Sequence, residues 1–347
     1  MGWRSLEEFI LALEQRGELL RVSHPVDVEL EAGCIADLLV KRGGPAVIFD
    51  QPRLEDGSIS RYPLAMNLFG TRDRTNLALD VVEPKEIGEM MTGLMKPDIG
   101  GIMKRPWTGL GLLRQGISMA PRKVSRGKCQ QVRMDNPDVT RLPIPTSWPQ
   151  DGGPFMTLPL VVTSDPETGV HNLGMYRSQV FGPDEVGLHW QKHKHGADHA
   201  EASDDRMPVA ICLGGPPQVI FSAISPLPDN LSEYEFAGLL SGSRLKITKC
   251  LTNDLWVPAD CDFVIEGYTL PSEKRVEGPF GDHFGHYSLE DEYPVMHVTA
   301  ITHRKDPIIP MTIVGIPPME DGYLGDCLLF TSPSPRARQK SRMPCSA

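Results

Sequence analysis

Apolar residues recur at helical spacing close to the start of the chain. The positions of this first apolar set are Leu6, Phe9, Ile10 and Leu13. Ser5 lies directly before the set and Glu8 follows three residues later, which is the spacing of a capping box. Gly17 then favours a turn out of the helix. The pattern therefore predicts an N-terminal amphipathic helix.

A second helix and a strand are predicted directly afterwards. The apolar residues of this helix, predicted over residues 30–41, are Ile35, Leu38 and Leu39. Residues 45–50 form the short continuous apolar run that is typical of a buried strand, and Pro84 suits the first turn of a further helix. These elements predict a compact α/β unit. The glycines and prolines of residues 97–122 predict a connector after it.

From about residue 130 the pattern changes to short runs rich in Val, Ile and Thr, bounded by Gly, Pro or Asp. Such runs are typical of strands. The predicted strands are residues 157–163, 208–213, 219–224, 244–251, 262–268, 295–303 and 308–314. One short helix is predicted among them, over residues 233–240. We expect these strands to form a barrel or a sandwich.

The composition divides the chain into three parts. Residues 1–115 form the predicted N-terminal α/β domain with its connector, and residues 116–325 form the β-rich domain. Residues 326–347 are set apart as a tail, because from residue 327 onwards they are basic, contain no acid and repeat Ser-Pro without periodicity. We expect this tail to be an artefact of gene-fragment sequencing rather than a native basic tail. The natural protein would then continue past residue 325.

Charge and composition exclude several classes of function. The net charge of −10 argues against nucleic acid as the main partner, because phosphate binding needs a basic surface. No run approaches the roughly 18 apolar residues of a membrane span, and the first residues lack the apolar core of a signal peptide. The seven cysteines form no CxxC motif, which favours a reduced, cytoplasmic setting.

Histidines crowd into one short segment, residues 171–199, which holds five of the ten. Imidazole binds metals and titrates near neutral pH, so the crowding suggests a metal site or a proton-transfer site. His189 with His193, and His195 with His199, have the spacing that shares one face of a helix. A zinc hydrolase built on these pairs is disfavoured, because the H-E-x-x-H signature is absent.

Three acidic residues are further candidates. Glu277 and Asp282 flank a Gly-Pro-Phe-Gly loop that could hold two carboxylates in place for acid and base roles, although a solvated β-turn explains the same residues. Glu233 follows Ser232 at a predicted helix start, where the helix dipole favours an acid without any functional role. With Asn172 and a histidine, however, Glu233 would make a ligand set that suits Mn²⁺ better than structural zinc.

Five segments, in order along the chain, resemble the UbiD family of reversible decarboxylases that use prenylated FMN. The segments are residues 172–177, 189–194, 231–238, 249–258 and 277–282, within a match from about residue 3 to 325. The resemblance implies an α+β fold in which an N-terminal α/β domain precedes a split β-barrel domain that binds flavin. It also implies that the family's C-terminal domain is missing from this chain.

The resemblance assigns roles to individual residues. Those corresponding to ligands of a Mn²⁺ ion at the flavin phosphate, with K⁺ as an optional second ion, are Asn172, His193 and Glu233. Those that would line the prenylated flavin are Met175, Tyr176, Arg177, His189, Trp190, Gln191, Lys194 and His195. Arg177, Glu277 and Asp282 correspond to a charged catalytic trio. Asp282 takes the proton-donor position, where a water-poor pocket would raise its pKa.

The implied reaction is the loss of CO2 from an aromatic acid, with the cofactor accepting electron density that side chains cannot. Arg177 would hold the substrate carboxylate with its planar fork. The first-choice substrate is 4-hydroxy-3-polyprenylbenzoate of quinone biosynthesis. The alternatives are another aromatic or α,β-unsaturated acid, or an inactive truncated fragment that binds flavin. The implied partners are a flavin prenyltransferase as cofactor supplier, further copies of the chain in a homo-oligomer, and a membrane surface approached through the polyprenyl substrate.

Overall fold

The computed structural model describes residues 2–95, 106–190, 206–228 and 231–331. The fold is a mixture of helices and sheets, which confirms the predicted α+β class. The helices are α1 (Leu6–Gln15), α2 (Glu31–Lys41), α3 (Arg72–Leu79), α4 (Lys85–Met95), α5 (Pro106–Met119), α6 (Pro217–Ser222), α7 (Glu233–Ser241) and α8 (Glu320–Thr331). The strands are β1 (Leu19–Val22), β2 (Val26–Asp27), β3 (Ala46–Phe49), β4 (Pro52–Arg53), β5 (Leu64–Met66), β6 (Arg122–Val124), β7 (Val132–Arg133), β8 (Phe155–Met156), β9 (Leu160–Ser164), β10 (His171–Met175), β11 (Ser178–Gln179), β12 (Glu185–Gly187), β13 (Met207–Leu213), β14 (Lys246–Lys249), β15 (Trp256–Pro258), β16 (Phe263–Glu277), β17 (Asp291–His303) and β18 (Ile309–Pro310).

Two sheets form the framework of the fold. The smaller one has the strand order β1-β3-β5-β18, and the larger one has the order β10-β9-β13-β16-β17-β12, with β7 also paired to β17. The larger sheet is antiparallel throughout. Because β18 lies far along the chain, the predicted domain boundary at residue 115 does not separate the two sheets. The described strands form an open order from β10 to β12, so the split barrel stays a prediction.

Both faces of the larger sheet are buried at β13, which explains why this strand is a nearly continuous apolar run. In β13, Val209, Ile211 and Leu213 belong to one hydrophobic core, whereas Ala210 and Cys212 belong to the other. Side chains alternate between the two faces of a strand, so each face of β13 meets its own core. Burial of each large apolar side chain stabilises the fold by about 1.5–3 kcal/mol.

Two predicted helix starts are confirmed by their caps. The Ser5 hydroxyl accepts a hydrogen bond from the Glu8 backbone N–H at 3.3 Å, and α1 buries all four predicted apolar residues. The Ser232 hydroxyl accepts from the Glu235 backbone N–H at 3.2 Å. The Glu235 carboxylate in turn accepts from the Ser232 N–H at 3.0 Å, which completes a capping box at the start of α7.

The predicted helix over residues 30–41 is confirmed as α2, and two of its three predicted apolar residues, Ile35 and Leu39, pack against a hydrophobic core. The residues that α2 buries are Ala32, Gly33, Ala36 and Val40, whereas Leu38 is exposed. A Cβ atom at Gly33 would lie 3.1 Å from the Ser147 carbonyl oxygen. A close contact of the helix is therefore made at Gly33, where a larger side chain would not fit.

Two predicted segments are wrong. Residues 219–224, predicted as a strand, lie largely in α6, whose six residues are all buried. Their Val, Ile and Phe composition reflects burial on every side rather than a strand. The predicted connector contains α5, which crosses α7 so closely that a Cβ atom at Gly238 would lie 2.1 Å from the Ser118 carbonyl oxygen.

The last described helix covers the start of the predicted tail. α8 continues to residue 331 and buries Cys327, so the boundary at residue 326 falls inside a helix. Residues 332–347 lie outside the described part of the chain. Among the helices of the described ranges, none has the length and apolar character needed to cross a membrane.

Candidate active site

A cavity of about 250 Å³ lies between β10 and the chain segments next to α6 and α7. Residues 172–176 form one wall, and residues 223–227 with Glu233 form the other. Two of the three predicted metal ligands, Asn172 and Glu233, therefore lie on the same cavity. Two of the predicted flavin-lining residues, Met175 and Tyr176, lie on it as well.

Backbone hydrogen bonds fix the walls of this cavity. Glu233, the first residue of α7, accepts a hydrogen bond from the Leu173 N–H at 3.3 Å through its carboxylate. The Met175 N–H donates to the carbonyl of Ala223, directly after α6, at 3.1 Å. These two hydrogen bonds connect strand β10 to both helices, and the cavity lies between them.

The cavity wall suits a bound polar group. A Cβ atom at Gly174 would lie 2.4 Å from the Tyr176 ring, so a glycine at this position leaves the space that the ring occupies. The Asn172 amide nitrogen is buried and has no hydrogen-bond partner among the described residues. A buried, unpartnered amide is unfavourable, and a bound group could satisfy it. An amide beside a carboxylate also fits a hard divalent cation, whose preferred ligands are oxygen atoms.

Three predicted site residues from three separate segments form a cluster of ionisable side chains. Arg177 follows β10, His189 follows β12, and Glu277 ends β16. The Glu277 Oε1 atom accepts a hydrogen bond from Arg177 Nε at 3.0 Å and lies 2.9 Å from His189 Nδ1. The Glu277 side chain is fully buried, whereas Arg177 remains 15% exposed. The cluster therefore presents its positive side to solvent.

The Arg177 guanidinium is held in place but not saturated. Its Nη2 atom donates to the Ser288 hydroxyl at 3.2 Å, and its central carbon lies 4.6 Å from the centre of the Phe280 ring. A guanidinium has five N–H donors. The bonds to Glu277 and Ser288 use two of them, which leaves three for a ligand.

Gln179, which no sequence motif marks, holds the beginning of the acid loop (residues 277–282). Its Nε2 atom donates to the Gly152 carbonyl at 2.7 Å, and its Oε1 atom accepts from the Gly278 N–H at 2.9 Å. A Cβ atom at Gly152 would lie 2.0 Å from the Gly278 carbonyl oxygen, so these two chain segments are in direct contact. Gln179 therefore joins the acid loop to residues 152–153.

Asp151 holds the other end of the acid loop and is likewise unmarked in the sequence. One of its carboxylate oxygens accepts from the Gly281 N–H at 2.8 Å, and the other accepts from the Trp148 N–H at 2.9 Å. Burial raises the pKa of Asp151 above its ordinary value, and these hydrogen bonds oppose the rise. The acid loop is thus anchored on both sides.

Asp282 lies at the end of the acid loop, and no hydrogen bond joins it to Arg177 or Glu277 within the described structure. Its Oδ1 atom accepts from the His283 backbone N–H at 2.7 Å and also contacts the His283 ring. Burial raises the pKa of Asp282, but the hydrogen bonds from His283 and the nearby Arg177 charge lower it below its ordinary value. In this arrangement Asp282 is a carboxylate near neutral pH, and the raised pKa expected in a water-poor pocket stays a prediction.

Comparison with known proteins decides the family. The family model described as the 3-octaprenyl-4-hydroxybenzoate carboxy-lyase N-terminal domain matches residues 10–92. The model described as the Rift-related domain of the same carboxy-lyase matches residues 122–317, more than half of the chain. The chain belongs to the UbiD family. Members of the UbiD family are carboxy-lyases, that is, decarboxylases, as the sequence predicted.

Individual UbiD relatives agree with this assignment. An uncharacterized protein of Archaeoglobus fulgidus is 45% identical over 329 residues, which cover 94% of this chain and 67% of that protein. The closed form of vanillic acid decarboxylase from Sedimentibacter hydroxybenzoicus is similar with a TM-score of 0.81 at 30% identity, covering 93% of this chain and 67% of that one. An evolved dimeric form of the UbiD-class enzyme HmfF from Pelotomaculum thermopropionicum, in complex with prFMN, has a TM-score of 0.79 at 27% identity, covering 95% and 71%. The chain thus spans about two thirds of the length of these relatives.

Part of the predicted UbiD site lies outside the described residues. The predicted residues concerned are Gln191, His193, Lys194 and His195. Within the described ranges, no three His, Cys, Asp or Glu residues form a metal cluster. Trp190 is described and lies in a hydrophobic core, where its indole nitrogen has no partner among the described residues. The contact of Trp190 with a cofactor stays a prediction.

Proposed function

We propose that this chain catalyses the reversible, non-oxidative decarboxylation of an aromatic acid with prenylated FMN. The observation that carries the proposal is the Arg177–Glu277–His189 cluster at the end of the cavity wall, in which the Glu277 carboxylate is fully buried. Burying charges is costly unless they are paired, and simple flavin binding needs no such cluster. A catalytic role accounts for it, because a carboxylate substrate requires an oriented cation.

The cavity supports the choice of cofactor. The HmfF structure, similar to this chain, is in complex with prFMN, and another HmfF structure at 29% identity is in complex with FMN. Asn172, Glu233 and His193 would hold Mn²⁺, with K⁺ as a second ion, at the flavin phosphate. The residues that would line the ring system are Met175, Tyr176, Arg177, His189, Trp190, Gln191, Lys194 and His195. When bound, the cofactor supplies the electron sink that CO2 loss requires.

Arg177 would bind and orient the substrate carboxylate. Its Nε atom is occupied by Glu277, which prevents rotation of the guanidinium, and its remaining donors suit a bidentate contact with a carboxylate. The Ser288 hydroxyl and the Phe280 ring restrict the same group from two further sides. This prearrangement lowers the entropy lost when the substrate binds.

Asp282 would exchange the proton with the carbon that loses CO2. As a carboxylate contacted by His283, it must first take up a proton. A bound aromatic acid would displace water from the acid loop, and this desolvation raises the pKa of a carboxylate. Substrate binding would therefore bring Asp282 into the protonated state that donation requires.

The proposed substrate is a 4-hydroxybenzoic acid, with 4-hydroxy-3-polyprenylbenzoate as the first choice. The matching family models carry the name of the octaprenyl compound's carboxy-lyase, and the vanillic acid decarboxylase is named for another 4-hydroxybenzoic acid. Another aromatic or α,β-unsaturated acid is the alternative. A chain that binds flavin without turnover is the second alternative.

The test is CO2 release by cofactor-loaded protein, co-produced with a flavin prenyltransferase and incubated with both 4-hydroxybenzoic acids. We expect turnover with at least one acid. We expect Asp282→Asn to retain flavin absorbance but to lose about 100-fold or more in turnover, because a general acid contributes roughly this much. Flavin-loaded protein without turnover on either acid or on a wider panel would contradict the assignment. Loss of flavin from Asp282→Asn would instead make Asp282 a binding residue.

Assembly and localisation are also part of the proposal. A homo-oligomer is in keeping with the dimeric form of the HmfF relative, and light scattering of the purified chain tests it. A cytoplasmic location is in keeping with the free cysteines of the described residues, and a polyprenyl substrate would bring the protein transiently to a membrane. Co-sedimentation with lipid vesicles, with and without that substrate, tests the approach.

A further inference from the structure

We propose that a second cleft, at the opposite ends of α6 and α7 from the cavity, binds a small hydroxylated aromatic carboxylate. The cleft has a volume of about 470 Å³ and shares no lining residue with the cavity. This volume lies within the range of about 300–1,000 Å³ that is typical of small-molecule sites. The inference depends on no part of the proposed decarboxylation.

The charges of the cleft favour an anion. Lys246 pairs with Asp260 at 3.3 Å, and Arg4 pairs with an acid of α1 at 2.6 Å. Arg122 and Arg244 also line the cleft, and neither has a carboxylate partner among the described residues. Two uncompensated guanidinium groups on a chain of net charge −10 mark a local positive region.

Arg244 is oriented without being neutralised. Its Nε atom donates to the Ala120 carbonyl at 2.7 Å, and its Nη2 atom donates to the Pro121 carbonyl at 3.0 Å. Carbonyl groups fix the guanidinium plane but leave its full charge and three of its five N–H donors available. A fixed guanidinium of this kind is suited to a carboxylate.

Gln218 lines the same cleft and has a buried acceptor without a donor among the described residues. It is fully buried, and its Nε2 atom donates to the Ala78 carbonyl at 3.0 Å. Because a carbonyl can only accept, this bond fixes the orientation of the amide. The Oε1 atom then has no donor among the described residues. Buried acceptors without a donor are rare, and a ligand hydroxyl group would satisfy this one.

The remaining wall is apolar and includes a fixed aromatic ring. Val219 and Leu245 are buried side chains on the cleft, and Trp3 lies beside them. The Trp3 indole nitrogen donates to the Leu77 carbonyl at 2.9 Å, which holds the ring in place. The cleft is thus lined by an aromatic ring, apolar side chains and two arginines, which together fit an aromatic ring that carries a carboxylate, and the Gln218 acceptor fits a hydroxyl.

Calorimetric titration of the cofactor-free chain tests the proposal with three probes. The probes are 4-hydroxybenzoate, 4-methylbenzoate, which lacks the hydroxyl, and inorganic phosphate, which lacks the ring. We expect 4-hydroxybenzoate to bind about fivefold more tightly than 4-methylbenzoate, because one hydrogen bond is lost. Phosphate should bind more weakly than both.

Three variants locate the binding site. Arg122→Gln should weaken 4-hydroxybenzoate binding about tenfold, since a hydrogen bond to a charged group is removed. Arg133→Gln, a matched change of an exposed arginine outside the cleft, should leave it unchanged. Arg177→Gln distinguishes the cleft from the candidate active site and should also retain the cleft binding. Circular dichroism of each variant verifies that it is folded.

Several results would overturn the proposal. Binding that disappears in Arg177→Gln and persists in Arg122→Gln belongs to the candidate active site. Absence of any heat up to about 10 mM 4-hydroxybenzoate excludes a site of even millimolar affinity. Equal affinity for 4-methylbenzoate excludes the role of Gln218, and phosphate binding as tight as that of the aromatic acids excludes the aromatic class.

Discussion

Neutralising Glu277 should cost the fold far more than neutralising a glutamate in an exposed ion pair. The Glu277 carboxylate is fully buried, and one of its oxygen atoms contacts both Arg177 and His189. Removing one partner of a buried pair costs about 3–5 kcal/mol. Arg177 keeps some solvent contact, and a glutamine can still accept one hydrogen bond. We therefore expect Glu277→Gln to lower the free energy of unfolding by about 2–3 kcal/mol, below that range.

Glu185→Gln is the matched control. Glu185 pairs with Arg275 at 2.7 Å, with side-chain exposures of 35% and 51%. The substitution and the arginine partner are the same, whereas the burial differs and Glu277 has His189 as an additional partner. Exposed pairs contribute about 0–1 kcal/mol, so this variant should unfold within 1 kcal/mol of the parent chain.

Urea unfolding of cofactor-free protein, followed by circular dichroism, measures both variants without interference from flavin occupancy. The slope of unfolding free energy against urea must stay constant for the comparison to be valid. If Glu277→Gln loses no more stability than Glu185→Gln, burial does not control the energy of this cluster. A gain in stability would show that the cluster is maintained at a cost to the fold.

Three further predictions concern other parts of the chain. Gln179→Leu removes both hydrogen bonds at the start of the acid loop and should lower the free energy of unfolding in urea by about 1–3 kcal/mol. The control, Gln131→Leu, removes one hydrogen bond at an exposed position and should lower it by less than half as much. Equal losses would contradict the anchoring role of Gln179. Burial raises the pKa of Asp262 to about 6, so the folded state binds the proton more tightly than the unfolded state, and stability falls as pH rises through this value. Asp262→Asn should therefore reduce the loss of stability between pH 5 and pH 7 by about 1 kcal/mol. An unchanged pH dependence would refute the assignment. His193→Ala should reduce manganese retention, measured by elemental analysis, far more than His199→Ala, and equal losses would contradict the proposed ligand set.

Local features of the fold could be predicted because they depend on neighbouring residues. The caps at Ser5 and Ser232 involve hydrogen bonds between residues three positions apart, and an apolar run such as that of β13 indicates a buried strand. Composition predicts the wrong type of element where a segment is buried on all sides. The residues of α6 have strand-like composition, yet they form a buried helix, since periodicity disappears when every face is apolar.

The family and its catalytic trio could be proposed from the order of five short segments, whereas their arrangement could not. Arg177 and Glu277 are 100 residues apart, and they meet because β16 ends beside the segment that follows β10. Gln179 and Asp151 anchor the acid loop through backbone groups, which any sequence provides and no motif identifies. The pKa of Asp282 also depends on the tertiary structure, since burial raises it whereas the contacts with His283 and the Arg177 charge together lower it below its ordinary value.

The sequence by itself therefore determined which chemical groups this protein has and which family it belongs to. The tertiary structure decided which of these groups meet, which are buried and which remain charged. The physical reason is that helix periods and caps act over a few residues. Electrostatic energies and hydrogen bonds at the site depend instead on strand register and on packing between distant segments.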